Sequence, residues 1–417
     1  MEAALDATGK ASIRRRKLPA EQVVWLVLGM ALYSNRAITT VLGHLGLVEG
    51  DDNSIADSAV SKARYRLGSE PIKWLFERVA AAWSGKSAIG GYRGLSLYGI
   101  DGTHLRVPDS DENFEHFGKP GGRGGSNDAG YPQLRLVAVM NLANRLLSAV
   151  RVAPIATSEK ELARALWDEI PDDSLVIADR GFLSYMTLLE LIAYRDNRHF
   201  LFRLKSSTSF EVVERLSDGT ILAKMNPSKD LKRAHNDVPG PIEVRIVEYQ
   251  HPGGKPGRLA TTLVDPELAP AEELIELYHD RWDLEIGFDE IKTHMRERAE
   301  ALRSKKPDGV YQEVWAILLV YNLVRREMYM TAVEAEVPAN RISFRMSLLY
   351  IRDFWTTGWM VSPGNIPRTL VQIREKLRGL ILPKRRKERR YPRHVKIKMS
   401  NYARNRGTRG SKEPPAK

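Results

Sequence analysis

Residues 95–107 read Leu-Ser-Leu-Tyr-Gly-Ile-Asp-Gly-Thr-His-Leu-Arg-Val, and this largely alternating pattern predicts a β-strand. The chain that follows contains four more runs with strand character, and two helical patterns are interleaved with them. The predicted strands are Leu134–Leu142, Leu147–Ile155, Ser174–Ala178 and His199–Lys205, and the predicted helices are Ser158–Ile170 and Thr187–Asp196. Three strands followed by helix, strand, helix and strand predict a mixed α/β sheet.

The segments on either side of this sheet have different patterns. Residues 18–85 are predicted to be helical, and the glycine-rich stretch Gly90–Gly94 marks a boundary after them. Residues 206–265 contain short strands and many turn residues, which indicates a β-rich insertion, and helical patterns return from Ala271. We therefore predict a helical N-terminal domain over 1–92, a catalytic α/β domain over 93–382 and a basic tail over 383–417.

Composition excludes several classes of protein. The 417 residues are 43% hydrophobic and 28% charged, so the chain can bury a sizeable core. It contains no cysteine, which excludes a disulfide scaffold, cysteine-ligated metal and a thiol nucleophile. The early apolar run Val23–Tyr33 is shorter than the ~20 residues of a membrane span. Glu2 and Asp6 precede any hydrophobic stretch, so we expect neither a signal peptide nor a membrane partner.

The positive charge is concentrated at one end of the chain. The formal net charge is +12, and Lys384–Lys417 holds 14 Lys/Arg against two Asp/Glu, while residues 1–383 hold 50 of each sign. A localised basic tail favours a polyanionic partner, because displaced counterions drive binding to nucleic acid. A solvated tail without a partner is the alternative. A membrane surface is less favoured, because the tail lacks an apolar face.

Two aspartates belong to neighbouring parts of the predicted sheet. Asp101 lies within the apolar strand predicted over 95–107, where a carboxylate is costly unless something compensates it, and Asp179 follows Leu175–Ala178 at the carboxyl end of another strand. Ligands of open α/β sheets collect at the carboxyl ends of strands. Two such carboxylates can share a divalent ion, which prefers oxygen ligands. The alternative is that each is a turn residue, since Asp-Gly and Asp-Arg-Gly are common turn sequences.

A third carboxylate lies on the helix predicted from Ala271. At 100° per residue, four residues fall within an arc of about 60°: Tyr278, Arg281, Glu285 and Lys292. Glu285 is predicted at the edge of the buried face between two cations, whereas Asp283 and Glu290 are predicted to face solvent. A surface ion pair between Arg281 and Glu285 is the alternative interpretation.

These residues resemble a known family. The spacing Tyr278-x2-Arg281-x3-Glu285-x6-Lys292 is similar to the YREK signature of the insertion-sequence-4 family of bacterial DDE transposases. Asp101-Gly-Thr and Asp179-Arg-Gly-Phe182 resemble its first and second acidic motifs in the right order. Arg16-Lys-Leu-Pro-Ala-Glu-Gln-Val-Val-Trp25 resembles its helical N-terminal domain, and the resemblance spans roughly residues 14–390.

The resemblance implies a ribonuclease H-like core in which Asp101, Asp179 and Glu285 bind Mg²⁺, with Mn²⁺ as a substitute, and cut DNA. It also implies that Tyr278, Arg281 and Lys292 contact DNA phosphates at the transposon end. The implied reaction is cleavage at the terminal inverted repeats followed by strand transfer, usually as cut-and-paste through a hairpin. The expected assembly is a homodimer on transposon-end and target DNA, in the nucleoid of a bacterial cytoplasm.

One departure from the family pattern concerns aromatic residues. Relatives stack a flipped base on a tryptophan of the insertion, but this chain has no tryptophan between Trp167 and Trp282. Phe210, Tyr249 or His251 could substitute, and we interpret Trp282 as structural. Three rival functions remain open at this point: a metal nuclease that does not join strands, a non-catalytic DNA-binding derivative, and a phosphoesterase acting on small molecules.

Overall fold

The structure is a computed structural model that describes ten segments of the chain: 1–12, 17–47, 55–85, 90–120, 130–192, 196–234, 238–250, 256–297, 299–357 and 363–383. The basic tail from Lys384 onward and His251 lie outside the described residues. Predictions about them are therefore untested. Met1–Leu382 forms one compact unit by its internal contacts.

Within the described segments, nine strands form a single sheet in the order β3-β2-β1-β4-β5-β9-β8-β7-β6. The strands are β1 (Ser96–Arg106), β2 (Gln133–Asn141), β3 (Leu146–Pro154), β4 (Ser174–Ala178), β5 (Arg198–Arg203), β6 (Glu211–Arg215), β7 (Ile221–Met225), β8 (Ile242–Tyr249) and β9 (Gly257–Thr261).

Helices flank the sheet and build the two ends of the described chain. They are α1 (Glu2–Ala7), α2 (Ala20–Leu32), α3 (Ile38–His44), α4 (Asp57–Leu67), α5 (Glu70–Trp83), α6 (Asp111–Phe117), α7 (Glu159–Arg164), α8 (Tyr185–Ile192), α9 (Lys229–Ala234), α10 (Ala271–Asp280), α11 (Trp282–Asp289), α12 (Pro307–Glu334), α13 (Phe344–Thr357) and α14 (Ile366–Arg378). A π-helical segment, Glu290–Met295, continues α11.

The strand directions confirm the predicted mixed sheet. β2 runs antiparallel to β1 and β3, whereas β4 runs parallel to both β1 and β5. All five residues of β4 are buried, as expected for a parallel strand covered on both faces. The order β3-β2-β1-β4-β5 with these directions is the arrangement of a ribonuclease H-like core, as expected.

The predicted β-rich insertion continues this sheet. β9 pairs antiparallel with β5, and β8, β7 and β6 follow it outward. The insertion therefore stays connected to the core through backbone hydrogen bonds. All five residues of the outermost strand, β6, are exposed, as expected for an edge strand with one paired neighbour.

The predicted helical N-terminal region is also present. α2 and α5 pack against the long helix α12, and the Phe76 and Trp315 rings lie 5.5 Å apart between centroids. One hydrophobic core includes side chains from these helices and from one face of the sheet. The domain boundary at residues 92 and 93 remains a prediction. Within the described residues, no helix is both long and apolar enough to cross a membrane.

Candidate active site

Asp101 and Asp179 lie at corresponding positions of two neighbouring strands, Asp101 within β1 and Asp179 directly after β4. β1 and β4 run parallel, and the last residues paired between them are Ile100 and Ala178. Asp101 and Asp179 are the residues that follow this last pair, one continuing β1 and the other leaving β4. The backbone N–H of Gly102 donates a 2.8 Å hydrogen bond to Oδ1 of Asp101. The structure thus brings together the two predicted aspartates.

Side chains at the end of α10 and the start of α11 connect the carboxylates. Arg281 lies between the two helices, and its Nη1 is 2.7 Å from Oε1 of Glu285 and 3.8 Å from Oδ2 of Asp101. The hydroxyl of Tyr278 donates a 3.3 Å hydrogen bond to Oδ1 of Asp179. One basic and one phenolic side chain of the signature therefore contact all three predicted carboxylates.

Lys292 lies half-buried in the π-helical segment Glu290–Met295. Burial, together with the nearby charge of Arg296, lowers the pKa of its ammonium group, while the charge of Asp101 opposes that shift. The fourth signature residue is therefore near Asp101. The prediction of one regular helix was wrong here, because a π-helical segment follows a different hydrogen-bond spacing from an α-helix.

Burial is the dominant influence on Asp101. It raises the pKa of this carboxyl group to about 6, and the charges of Glu285 and Glu159 add to the rise. The Gly102 N–H and the Arg281 guanidinium act in the opposite direction. For Arg281 itself, burial lowers the pKa, but its neighbours outweigh burial and the net pKa is raised. The site therefore favours a cation beside these carboxylates.

Within the described segments there is no group of three or more His, Asp or Glu side chains placed to hold a metal ion. The donor types suit a hard divalent ion, because Asp101, Asp179 and Glu285 offer only carboxylate oxygens. Their arrangement already includes a cation, since the Arg281 guanidinium contacts both Asp101 and Glu285. The residues thus fit a divalent ion by chemistry, but they are not gathered around one position.

Comparisons with known proteins identify the family. A family model described as "Transposase DDE domain" matches residues 93–323, and one described as "Insertion element 4 transposase N-terminal" matches residues 1–77. The transposase InsG of insertion sequence element IS4 from Escherichia coli K12 is 33% identical over 400 residues, which cover 95% of this chain and 90% of InsG. The chain belongs to the insertion-sequence-4 family of DDE transposases.

The transposase is accordingly an enzyme that cleaves DNA and transfers strands. This confirms the transposase function that the sequence resemblance implied. A solved piggyBac transposase synaptic complex with hairpin DNA aligns with a TM-score of 0.46 and 9% identity, covering 87% of this chain and 76% of that chain. That likeness is too distant to carry an argument.

Sequence reasoning missed Glu159, an acidic side chain beside the candidate site of the transposase. α7 begins at Glu159 because the Ser158 hydroxyl caps it by accepting a backbone hydrogen bond. The Glu159 carboxylate lies over Gly102, where an added Cβ would come within 2.9 Å of Oε1. Nε2 of His104 and Nη1 of Arg135 lie 3.9 Å and 4.0 Å from that oxygen. The glycine after Asp101 was the available signal, because it leaves room for this approach.

Two further residues lie around Tyr278 of the transposase. Burial raises the pKa of Tyr278 to about 12; the charges of Asp179 and Tyr249 add to this rise, while those of Arg281 and Arg203 oppose it. Arg203 is the last residue of β5, the strand beside β4. The position of Arg203 at the carboxyl end of its strand was the signal in the sequence that could have identified it as a site residue. Tyr249, one of the predicted stacking candidates, is thus near the signature helices.

Two acidic residues that were predicted to face solvent are paired with arginines instead, Glu290 buried and Asp283 half-buried. Glu290 forms a buried ion pair with Arg325 of α12, and the Tyr321 hydroxyl lies 3.5 Å from its Oε2. Asp283 accepts a 3.0 Å hydrogen bond at Oδ1 from Nη2 of Arg145. The prediction was wrong because this helical region packs against β1 on one side and α12 on the other. Helical periodicity indicates relative faces but not which of them a neighbour covers.

The aromatic residues near the site also differ from the prediction. Trp282 was interpreted as structural, but its side chain is 51% exposed, and the Arg281 guanidinium lies 5.8 Å from its ring centroid. Phe210, another stacking candidate, has the Arg258 guanidinium 5.3 Å from its ring centroid. Trp282 therefore offers an open flat surface immediately beside the candidate site.

Proposed function

We propose that Asp101, Asp179 and Glu285 are the catalytic carboxylates of the transposase and that they bind divalent cations, Mg²⁺ with Mn²⁺ as a substitute. The observation that supports this is the register of β1 and β4, which sets two of the acids next to one another near the helix carrying the third. Bound divalent ions supply the Lewis acidity needed for phosphodiester cleavage. The protein supplies oxygen ligands on rigid elements.

Tyr278, Arg281 and Lys292 are the proposed contacts to DNA phosphates at the transposon end. Arg281 provides a planar guanidinium suited to phosphate oxygens, and Lys292 provides a point charge near Asp101. Arg203 and Arg135 extend the positive charge around the carboxylates. A DNA backbone crossing this surface would meet cations beside the three acids.

The proposed reaction has two displacements at phosphorus. In the first, the oxygen of water attacks phosphorus at the transposon end and stays there as part of a 5′-phosphate, while the bond to the 3′ oxygen breaks. Water loses its proton to solvent, and the departing 3′ oxygen takes a proton from solvent to become a 3′-hydroxyl. In the second, that hydroxyl loses its proton and attacks a target phosphodiester, the bond to the target strand's 3′ oxygen breaks, and this oxygen takes up a proton. Cut-and-paste through a hairpin also needs a flat partner for a flipped base. Tyr249 and the exposed Trp282 are the candidates near the site.

The remaining parts of the chain have proposed roles in assembly. The helices within 1–92 form a region for DNA binding or dimerisation, residues 93–382 form the catalytic domain, and the tail over 383–417 binds DNA through its charge. Joining two transposon ends requires two active sites, so the working assembly is a homodimer on DNA. Because its substrate is DNA, we expect the transposase to act in the nucleoid of the bacterial cytoplasm.

The direct test uses the purified full chain, Mg²⁺ or Mn²⁺, and DNA carrying the inverted repeats that flank the transposase's own element. Wild type is compared with Asp101→Asn and Asp179→Asn. Metal-dependent cleavage at the repeat by wild type, lost in both variants, is the expected result. A wild-type protein that binds this DNA and never cuts it with either metal would overturn the proposed catalytic role.

A matched pair of variants tests the third carboxylate. Asp289 lies one helical turn beyond Glu285, is exposed, and its Oδ1 accepts a 2.8 Å hydrogen bond from Thr293. Glu285→Gln is expected to keep DNA binding and to lower the cleavage rate by more than about a hundredfold. Mutating a residue that only orients a metal ligand already lowers activity by up to about a hundredfold, and Glu285 is proposed to be a ligand itself. Asp289→Asn is expected to cleave like wild type. The reverse pattern would mean that the third ligand is misassigned.

A further inference from the structure

Each proposed metal ligand of the transposase is held by a side chain that is also proposed to bind DNA. Arg281 lies 2.7 Å from Glu285 and 3.8 Å from Asp101, and Tyr278 donates its hydrogen bond to Asp179. The two sets of side chains are therefore partners of one another. Neither set can take up its ligand without changing these contacts.

The Arg281 guanidinium is incompletely satisfied where it lies. Its side chain is only 9% exposed, its contact to Asp101 at 3.8 Å is longer than a hydrogen bond, and its buried Nε has no hydrogen-bond partner among the described residues. A buried guanidinium N–H without a partner is costly. The arrangement offsets part of the charge of two carboxylates but leaves Arg281 available for a better acceptor, such as a phosphate with several free oxygens.

We propose that Arg281 acts as a tethered cation that occupies the position between Asp101 and Glu285 until DNA arrives. A DNA phosphate then draws the guanidinium away, and a divalent ion replaces its charge between the carboxylates. Tyr278 releases Asp179 in the same exchange. This proposal rests on the proposed function, since it concerns the same ligands and the same DNA contacts.

Charge neutralisation explains why the two events are linked. A phosphate alone would add negative charge beside three carboxylates, and a metal ion alone would compete with a guanidinium that is covalently attached to the site. When both bind, the metal pairs with the carboxylates and Arg281 pairs with the phosphate. Linkage is reciprocal, so DNA strengthens metal binding by the same factor as metal strengthens DNA binding.

The test measures Mn²⁺ binding to the full chain by electron paramagnetic resonance, which detects free Mn²⁺ and does not depend on cleavage. The probes are Mn²⁺ alone and Mn²⁺ with a duplex that carries the element's inverted repeat and ends at the cleavage position, so that no bond remains to be cut there. DNA is expected to strengthen Mn²⁺ binding by wild type about tenfold or more, within the usual range of coupling between two sites.

Arg281→Ala is the decisive variant. Without the guanidinium, the free protein is expected to bind Mn²⁺ about tenfold more tightly than wild type, and the additional effect of DNA should largely disappear. Arg164→Ala is the matched control, because it removes an exposed Arg–Glu ion pair with Glu190 elsewhere. That control should leave both Mn²⁺ affinities unchanged. Tyr278→Phe, which removes only the hydroxyl, should strengthen Mn²⁺ binding by a smaller factor.

Several outcomes would overturn the exchange. One is a folded Arg281→Ala protein whose free form binds Mn²⁺ no better than wild type, and another is wild type whose Mn²⁺ affinity is the same with and without DNA. The second outcome overturns the exchange even if Arg281→Ala does not fold, because it is measured on wild type alone. One combination of results would overturn only the exchange. In it, wild type cleaves DNA, the Asp101→Asn variant no longer binds Mn²⁺, and the Arg281→Ala variant binds Mn²⁺ as tightly as wild type does. If wild type binds no Mn²⁺ even with DNA, the proposed metal site fails as well.

Discussion

The Glu290 carboxylate forms a buried ion pair with the Arg325 guanidinium, behind the helical region that carries Glu285 and Lys292. Nε of Arg325 also donates a 3.2 Å hydrogen bond to the Tyr321 hydroxyl. A buried charge is tolerated when it is paired, and it becomes costly when its partner is removed. The pair therefore links the position of two proposed functional residues to the long helix α12.

Breaking this pair is expected to destabilise the protein and to impair cleavage. Glu290→Gln leaves the Arg325 charge buried without a counter-charge, and we expect a loss of about 3–5 kcal/mol in the free energy of unfolding. Replacing both residues, Glu290→Leu with Arg325→Met, should recover most of that loss. Urea denaturation measures both. A double variant that is no more stable than Glu290→Gln would contradict this account of the pair.

The raised pKa of Asp101 predicts that this residue lowers the folding stability of the protein in a pH-dependent way. Its folded-state pKa of about 6 lies above the ordinary value of 3.8, so the native state binds the extra proton between these values. The free energy of unfolding therefore falls as the pH rises from about 3.8 to about 6. Above pH 6 it is lower, by up to about 3 kcal/mol, than it would be if Asp101 had its ordinary pKa.

Asp101→Asn should consequently stabilise the protein at pH 8 in the absence of divalent ions, although it is expected to abolish cleavage. The gain should shrink as the pH falls and should vanish below about pH 3, where the wild-type carboxyl is largely protonated in both states. Thermal unfolding of the two proteins in a chelating buffer, repeated across this pH range, makes the comparison. A variant that is less stable than wild type at pH 8 would contradict the expected sign.

Two glycines near the site should respond differently to alanine. A Cβ at Gly287 would lie 2.7 Å from Cε of Met140 and 2.9 Å from the hydroxyl of Tyr321, which is fully buried. Gly287→Ala should therefore push α11 away from β2 and cost about 1–3 kcal/mol, with reduced cleavage. A Cβ at Gly102 would meet only the flexible end of Glu159, so Gly102→Ala should cost less than about 1 kcal/mol. Chemical denaturation that ranks Gly102→Ala as the costlier change would refute this view of the packing.

Removing the basic tail should weaken DNA binding in a salt-dependent way. Lys384–Lys417 holds 14 basic and two acidic residues, and the compact unit ends at Leu382, so truncation after Pro383 should leave that unit folded. The slope of log K against log salt should become shallower by about 0.9 for each phosphate that the tail no longer neutralises. Fluorescence anisotropy at several salt concentrations measures the slope. A tail of equal length with its Lys and Arg replaced by Ser should behave like the truncation, and an unchanged slope would exclude a role for its charge.

Local patterns in the sequence were sufficient for the main elements of the transposase. The alternation in 95–107 predicted β1, the apolar run Ser174–Ala178 predicted β4, and the order of strands and helices predicted a mixed sheet. These features can be read from the sequence because the side-chain period of a strand or helix is a property of its own backbone. The spacing of the four signature residues likewise indicated their family, and the positions of Asp101 within one predicted strand and Asp179 at the end of another indicated a shared site.

Only the tertiary structure decided how those side chains meet. The register of β1 against β4 sets Asp101 beside Asp179, and the approach of α11 to the sheet lets Arg281 contact Asp101 as well as Glu285. The burial of Glu290 beside α12 also could not be predicted, because periodicity identifies a helix face without identifying what packs against it. Contacts between segments distant in sequence depend on how the whole chain packs, and that packing is not contained in any local pattern.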